Sequence, residues 1–80
     1  MIRPDAARIP LSFVAPGQSA RIEEVGPEVD PVQRAQLTAY GVSPGRLVRV
    51  MQQRPMTLVL ADEVELALEP VVARHLWGAR

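Results

Sequence analysis

Asp30-Pro-Val-Gln-Arg34-Ala-Gln-Leu37-Thr-Ala-Tyr40-Gly41-Val-Ser-Pro44-Gly45 is the stretch from which the rest of the chain can be read. It opens with an Asp whose carboxylate can accept from free amides, followed by a Pro at the first helical position, where the missing N–H sacrifices no hydrogen bond. The spacing predicts a helix from Pro31 to about Tyr40. Val32, Ala35 and Ala39 form one apolar line, Leu37 with Tyr40 another, and Arg34 stays on the wet side. Gly41 can take the left-handed conformation that stops the helix, and Ser43-Pro44-Gly45 is a turn.

Short β-like segments stand on either side. Upstream, Leu11, Phe13 and Val14 precede the Pro16-Gly17 turn and suit either a lead-in strand or a single helical turn capped by Ser12. Ser19 to Val25 alternates, with Ala20 and Ile22 opposed to Arg21 and Glu23, until Val25 breaks the phase and implies a bulge or strand end near Glu24. Downstream, Leu47 to Met51 places Val48 and Val50 on one face. Thr57 to Ala61 is nearly continuously apolar, and Val64, Leu66 and Leu68 alternate inward. Asp62-Glu63 joins these two segments as a hairpin that lacks the usual Gly. Pro70 opens a short helical turn, and Leu76-Trp77 closes the chain as a last short strand. Residues 1–8 read as a loose N-terminal arm, 9–77 as the domain and 78–80 as a C-terminal tail.

Composition bounds the function. Eighty residues hold one small domain, and with no cysteine its apolar residues, 48% of the chain, must supply the stability. No apolar run approaches the roughly 20 residues that span a bilayer, and the first ten residues lack a signal peptide's apolar stretch, so a cytoplasmic location without direct membrane insertion is expected. A net charge of zero and only three aromatics argue against nucleic acid as a partner.

The inventory of reactive groups is thin. Cysteine nucleophiles are absent, and the hydroxyl residues and the single His show no charge-relay spacing, so no catalytic residue is assigned and the chain reads as a non-enzyme. His75 lies six residues from Glu69, the nearest carboxylate, and reads as a half-buried imidazole rather than a metal ligand; no cofactor is expected. Asp62, Glu63 and Glu65 are the densest acidic cluster and read as a solvated hairpin tip. The Pro-Gly turns lack the Lys and hydroxyl of a phosphate loop. Met51 and Met56, either side of Gln-Gln-Arg-Pro, suit adaptable contacts or core gaps, and Trp77 suits an anchor or a lid over the core. Arginine as the only base suits bidentate contacts or reflects coding bias.

The block from Arg34 to Gly45, with its Arg, core Leu and apolar-Gly-apolar-x-Pro-Gly ending, resembles the FeoA family of small ferrous-iron transport accessory proteins. Leu11-Ser12, Pro16-Gly17, Ala20-Arg21-Ile22 and Leu66-Ala67-Leu68 extend the likeness over about Leu11 to Leu76. The resemblance implies a mainly β fold, a small SH3-like barrel of about five short strands with one short α-helix and helical turns. It also implies a cytosolic accessory role acting by contact on the cytosolic part of a FeoB-type membrane GTPase-transporter; a similar domain ends iron-dependent repressors of the DtxR type. The chain departs from the family in a shorter loop after Pro55 and in Trp77-Gly78 near its end. Three readings follow: an accessory domain that binds a protein partner, a direct divalent-metal binder or sensor using His75 with carboxylates across subunits, and a module that self-associates through open strand edges. For the first, Arg34, Tyr40 and Ser43 are the expected partner-binding residues, Arg34 and Tyr40 because Arg and Tyr are enriched at hot spots, with Tyr40 left open between surface and core.

Overall fold

The computed structural model describes residues 8–79. Six strands form one open antiparallel sheet in the order β1-β6-β2-β3-β4-β5, with β1 at Arg8–Pro10, β2 at Ser19–Val25, β3 at Leu47–Gln52, β4 at Thr57–Ala61, β5 at Val64–Leu68 and β6 at Leu76–Ala79. Helix α1 covers Pro31–Ala39, α2 covers Pro70–Ala73, and a 3-10 turn covers Leu11–Phe13. The sheet curls into an SH3-like fold without closing. Two register shifts, between Ile22 and Glu24 against β6 and between Val50 and Gln52 against β4, supply the local bends that curling requires.

Alternation in the sequence becomes two-sidedness in the sheet. Ala20 and Ile22 of β2, Val48 and Val50 of β3, and Val59 and Ala61 of β4 are fully buried, while their neighbours face outward or are half-buried. Leu11 and Val14 enter the same core from the 3-10 turn, Leu37 from α1, and Val72, Ala73 and Leu76 from the α2–β6 corner. The buried Thr57 hydroxyl donates to Gln53 Oε1 at 2.8 Å, and Gln53 Nε2 donates to the Val14 and Leu11 carbonyls at 2.6 and 3.0 Å. One amide thus satisfies the Thr57 hydroxyl and ties the β3–β4 loop to two carbonyls of the 3-10 turn and its cap.

Several expectations need correction. Gly78 and Ala79 are not a tail: they belong to β6, which lies between β1 and β2, with Gly78 opposite both Ile9 and Ile22. Arg8, read as arm, pairs with Ala79 and supplies part of a sixth strand; the remainder of that arm lies outside the described residues. The Leu11 segment is a turn whose cap position is Pro10, so Ser12 sits inside the turn and its buried hydroxyl has no partner. Val64 is exposed rather than inward, and Leu66 only half-buried, because β5 is the edge strand, whereas Ala61 opposite Val64 on β4 is buried. The Asp62-Glu63 hairpin does turn in two residues without a Gly, Asp62 at φ 56° taking the positive angle usually given to that residue. No helix in the described residues is long and apolar enough to cross a membrane.

Candidate partner-binding surface

Helix α1 starts as its sequence dictates, with the Asp30 carboxylate accepting from the Val32 amide at 3.2 Å. One turn later, the Arg34 side chain folds back over the preceding loop. Its guanidinium donates to the carbonyls of Val25 at 2.9 Å, Gly26 at 2.8 Å and Val29 at 3.4 Å. Arg34 is therefore half-buried and tied to the end of β2, not held on the wet side. Its fork of donors gathers carbonyls where β2 runs into the loop, and the Gly26 oxygen accepts from the Val29 amide as well, at 3.1 Å. Gly26 completes the junction: its amide donates to the His75 carbonyl at 2.8 Å, and a Cβ there would meet that oxygen at 2.9 Å.

The helix ends in a Schellman motif. Val42 donates to the Leu37 carbonyl at 2.8 Å and Gly41, at φ 93°, donates to Thr38 at 3.1 Å, while the Leu37 and Val42 side chains are both buried. Ser43-Pro44-Gly45-Arg46 follows as a type II turn, closed by Arg46 N–H to Ser43 O at 3.0 Å with Gly45 at φ 90°. Gly45 also donates to the Ile22 carbonyl, which locks the turn to β2. Folding thus explains Leu37, Gly41, Pro44 and Gly45.

Tyr40 is explained by none of this. Its ring is 52% exposed and separates two depressions. One, of about 140 Å³, lies between α1 and β5 and is lined by Gln36, Tyr40, Leu66 and Ala67 among others. The second, of about 230 Å³, lies between the end of α1 and the hairpin, where Arg46 pairs with Asp62. Ser43 is half-exposed just beyond, at the first position of its turn. Tyr40 and Ser43 therefore share the helix-turn corner, while the Arg34 guanidinium is turned inward beneath the helix start. Val32, on the same helix, is 66% exposed, so α1 attaches through Leu37 rather than through a broad apolar face.

The remaining candidates are dispersed. His75 Nδ1 donates to the Val71 carbonyl at 2.9 Å, and no group of three or more His, Asp or Glu side chains gathers among the described residues. Arg8 lies over the half-buried Trp77 ring, 5.5 Å from its centroid, and pairs with Glu24. Met51 is exposed and Met56 half-buried. Missed at the sequence level was the α1–β5 groove, since it depends on sheet order. Its sole sequence signal is the polar i, i+3, i+7 line of Gln33, Gln36 and Tyr40 on a helix that a globular domain must still pack somewhere.

Comparison with known proteins fits this geometry. The family model described as the FeoA domain matches residues 9–80. Among solved structures, a crystal structure of an iron uptake regulatory protein (FeoA) superposes with a TM-score of 0.75 at 20% identity, covering 89% of this chain and 93% of that one. The FeoA protein of Chlorobium tepidum gives 0.80 at 20% identity, covering 89% and 70%. IdeR of T. acidophilum gives 0.81 at 20% identity; it covers 99% of this chain, which spans 36% of the repressor. At such identities these likenesses speak for the fold alone. No curated protein matches the sequence.

Proposed function

The chain belongs to the FeoA domain family, and from that premise we propose that it is a cytosolic, non-enzymatic accessory domain of ferrous-iron transport, acting by contact with the cytosolic part of a FeoB-type GTPase-transporter. The observation that carries the contact reading is Tyr40, a large ring left 52% exposed on a corner whose other motif residues all serve the fold. Tyr is costly to leave in water and is enriched at hot spots, where its rigid ring gives contact area at little entropic cost. Ser43 extends the surface, and Arg34 contributes by fixing the direction in which α1 leaves β2.

The experiment is capture of the transporter's soluble cytosolic domain on immobilised protein. Tyr40→Ala should weaken capture by about ten-fold or more, a change of about 1.4 kcal/mol, with Ser43→Glu in the same direction. Arg49→Glu, on the outer face of β3, should bind as wild type does. Equal capture by all four proteins would sink the assignment of this surface.

A further inference from the structure

Strand β5 is the last of its sheet, and no described strand pairs with its outer side. Its hairpin register fixes which groups are free. Ala61 opposite Val64 closes a two-residue loop and so is a hydrogen-bonded pair; from there Val64, Leu66 and Leu68 turn their main-chain groups toward β4. The N–H and C=O groups of Glu65 and Ala67 consequently point away from the sheet. Folded proteins usually blunt such an edge. At the opposite edge, β1 is three residues long and ends in Pro10, which has no N–H to offer. β5 has five residues and neither a proline nor a bulge.

Beside that edge runs the α1–β5 groove. Gln33, Gln36 and Tyr40 form its helical wall, Ala67 its strand wall, and Leu37 and Val72 its base. At about 140 Å³ it is well below the roughly 300 Å³ where small-molecule sites begin, and suits an aliphatic side chain of a passing peptide. Glu65 and Glu69 flank Ala67 at a spacing of two, so the three share one face of the extended chain, and Glu69, just past the end of β5, also borders the groove. Neither takes part in the ion pairs of the described residues, which join Arg8 to Glu24 and Arg46 to Asp62. The cross-strand neighbour of Glu65 is Leu60, and Glu69, although it caps α2, makes no side-chain cap hydrogen bond.

We propose that the free edge of β5, with the groove beside it, binds an extended basic segment of the partner as an added strand. The inference rests on the reading of the chain as a contact domain and adds the chemistry of what it contacts. Main-chain bonds to Glu65 and Ala67 supply the pairing, in the manner of β-augmentation. Side-chain alternation then sets the pattern: basic residues four apart lie opposite Glu65 and Glu69, and an apolar residue between them enters the groove. Charge favours a basic segment over a second copy of β5, which carries no cation to set opposite Glu65 in any register. An antiparallel pair centred on Ala67 would set Glu65 of each strand against Glu69 of the other, and directly opposed like charges destabilise.

The probe is a labelled peptide Lys-Thr-Val-Thr-Lys, compared with the same peptide carrying Glu in place of Lys. The wild-type protein should bind the basic peptide at least ten-fold more tightly, and the Glu65→Lys, Glu69→Lys double variant should reverse the preference. Ala67→Pro removes an outward N–H and no bond of the β4 ladder, and should lose at least ten-fold for the basic peptide. Bound peptide should slow hydrogen exchange at the Ala67 amide, a readout that does not depend on the proline variant folding. No saturation by about 1 mM, equal affinity for both peptides, or protection at β1 instead of β5 would overturn the proposal. So would dimerisation of the wild type that the peptide abolishes, since a second copy would then be the occupant. Transporter capture that fails while the peptide still binds at β5 would overturn the partner and leave this edge standing; the converse would overturn the edge alone.

Discussion

Arg34 sits where one side chain decides how a helix leaves a sheet, and its three acceptors are all main-chain carbonyls. Hydrogen bonds from a charged donor contribute about 1.5–3 kcal/mol, and Arg34→Glu would set a carboxylate against the same oxygens. We therefore expect that variant to lose about 2 kcal/mol or more, seen as a fall of roughly 10 °C in Tm for a chain of this size; an unchanged melt would show that the guanidinium contacts are incidental. Nothing in the sequence reveals this, because carbonyl acceptors carry no residue type, and a helical wheel places Arg34 outside. Gly78 shows a similar blindness from the other side. A Cβ there would meet Ala20 Cβ at 3.1 Å and Arg21 O at 3.3 Å, and the latter is backbone that cannot swing away. Gly78→Val should cost about 1–3 kcal/mol in urea unfolding, as overpacking typically does, whereas a tail residue would tolerate it silently.

At the scale of elements, α1 was legible almost to the residue. Its boundaries are written in local chemistry: the Asp30-Pro31 start, the Gly41 stop and the Pro44-Gly45 turn each act within a few residues. The hairpin from Thr57 to Leu68 was legible for the same reason, its two alternating runs meeting at two polar residues. What local chemistry does not encode is which strand ends at an edge, so the exposure of Val64 and the groove beside β5 had to await the sheet order. Tyr40 and Ser43 stand on either side of the helix stop, one exposed and one half-exposed. Leu37 is the only buried residue of α1. Leu37→Ala should therefore cost about 2–5 kcal/mol and release the helix first. Hydrogen exchange of the Leu37 to Val42 amides should accelerate more than that of Val50 or Val59; uniform acceleration would mean that helix and sheet unfold only together.

For the whole molecule, chain order and spatial order part company at β6. The last strand is not added to the finished sheet's rim but inserted between the first strand and the second, pairing with β1 on one side and β2 on the other. Leu76 brings a fully buried side chain with it, and the His75 carbonyl just before it receives the Gly26 amide from the loop that Arg34 holds. A chain stopped after His75 would thus lose two ladders at once, leave β1 with no partner among the described strands, and uncover the core faces of Ala20 and Ile22. Burial of one Leu side chain alone is worth about 1.5–3 kcal/mol, and each orphaned buried main-chain group costs about 1–3 kcal/mol more. Those losses together match or exceed the roughly 5–15 kcal/mol by which a domain is stable. We expect the shortened protein to lack a cooperative thermal transition and dispersed amide resonances, although β2 to β5 and α1 are intact in its sequence. A cooperative melt would show instead that the four-stranded meander with its helix folds alone and that β6 is an accessory strand.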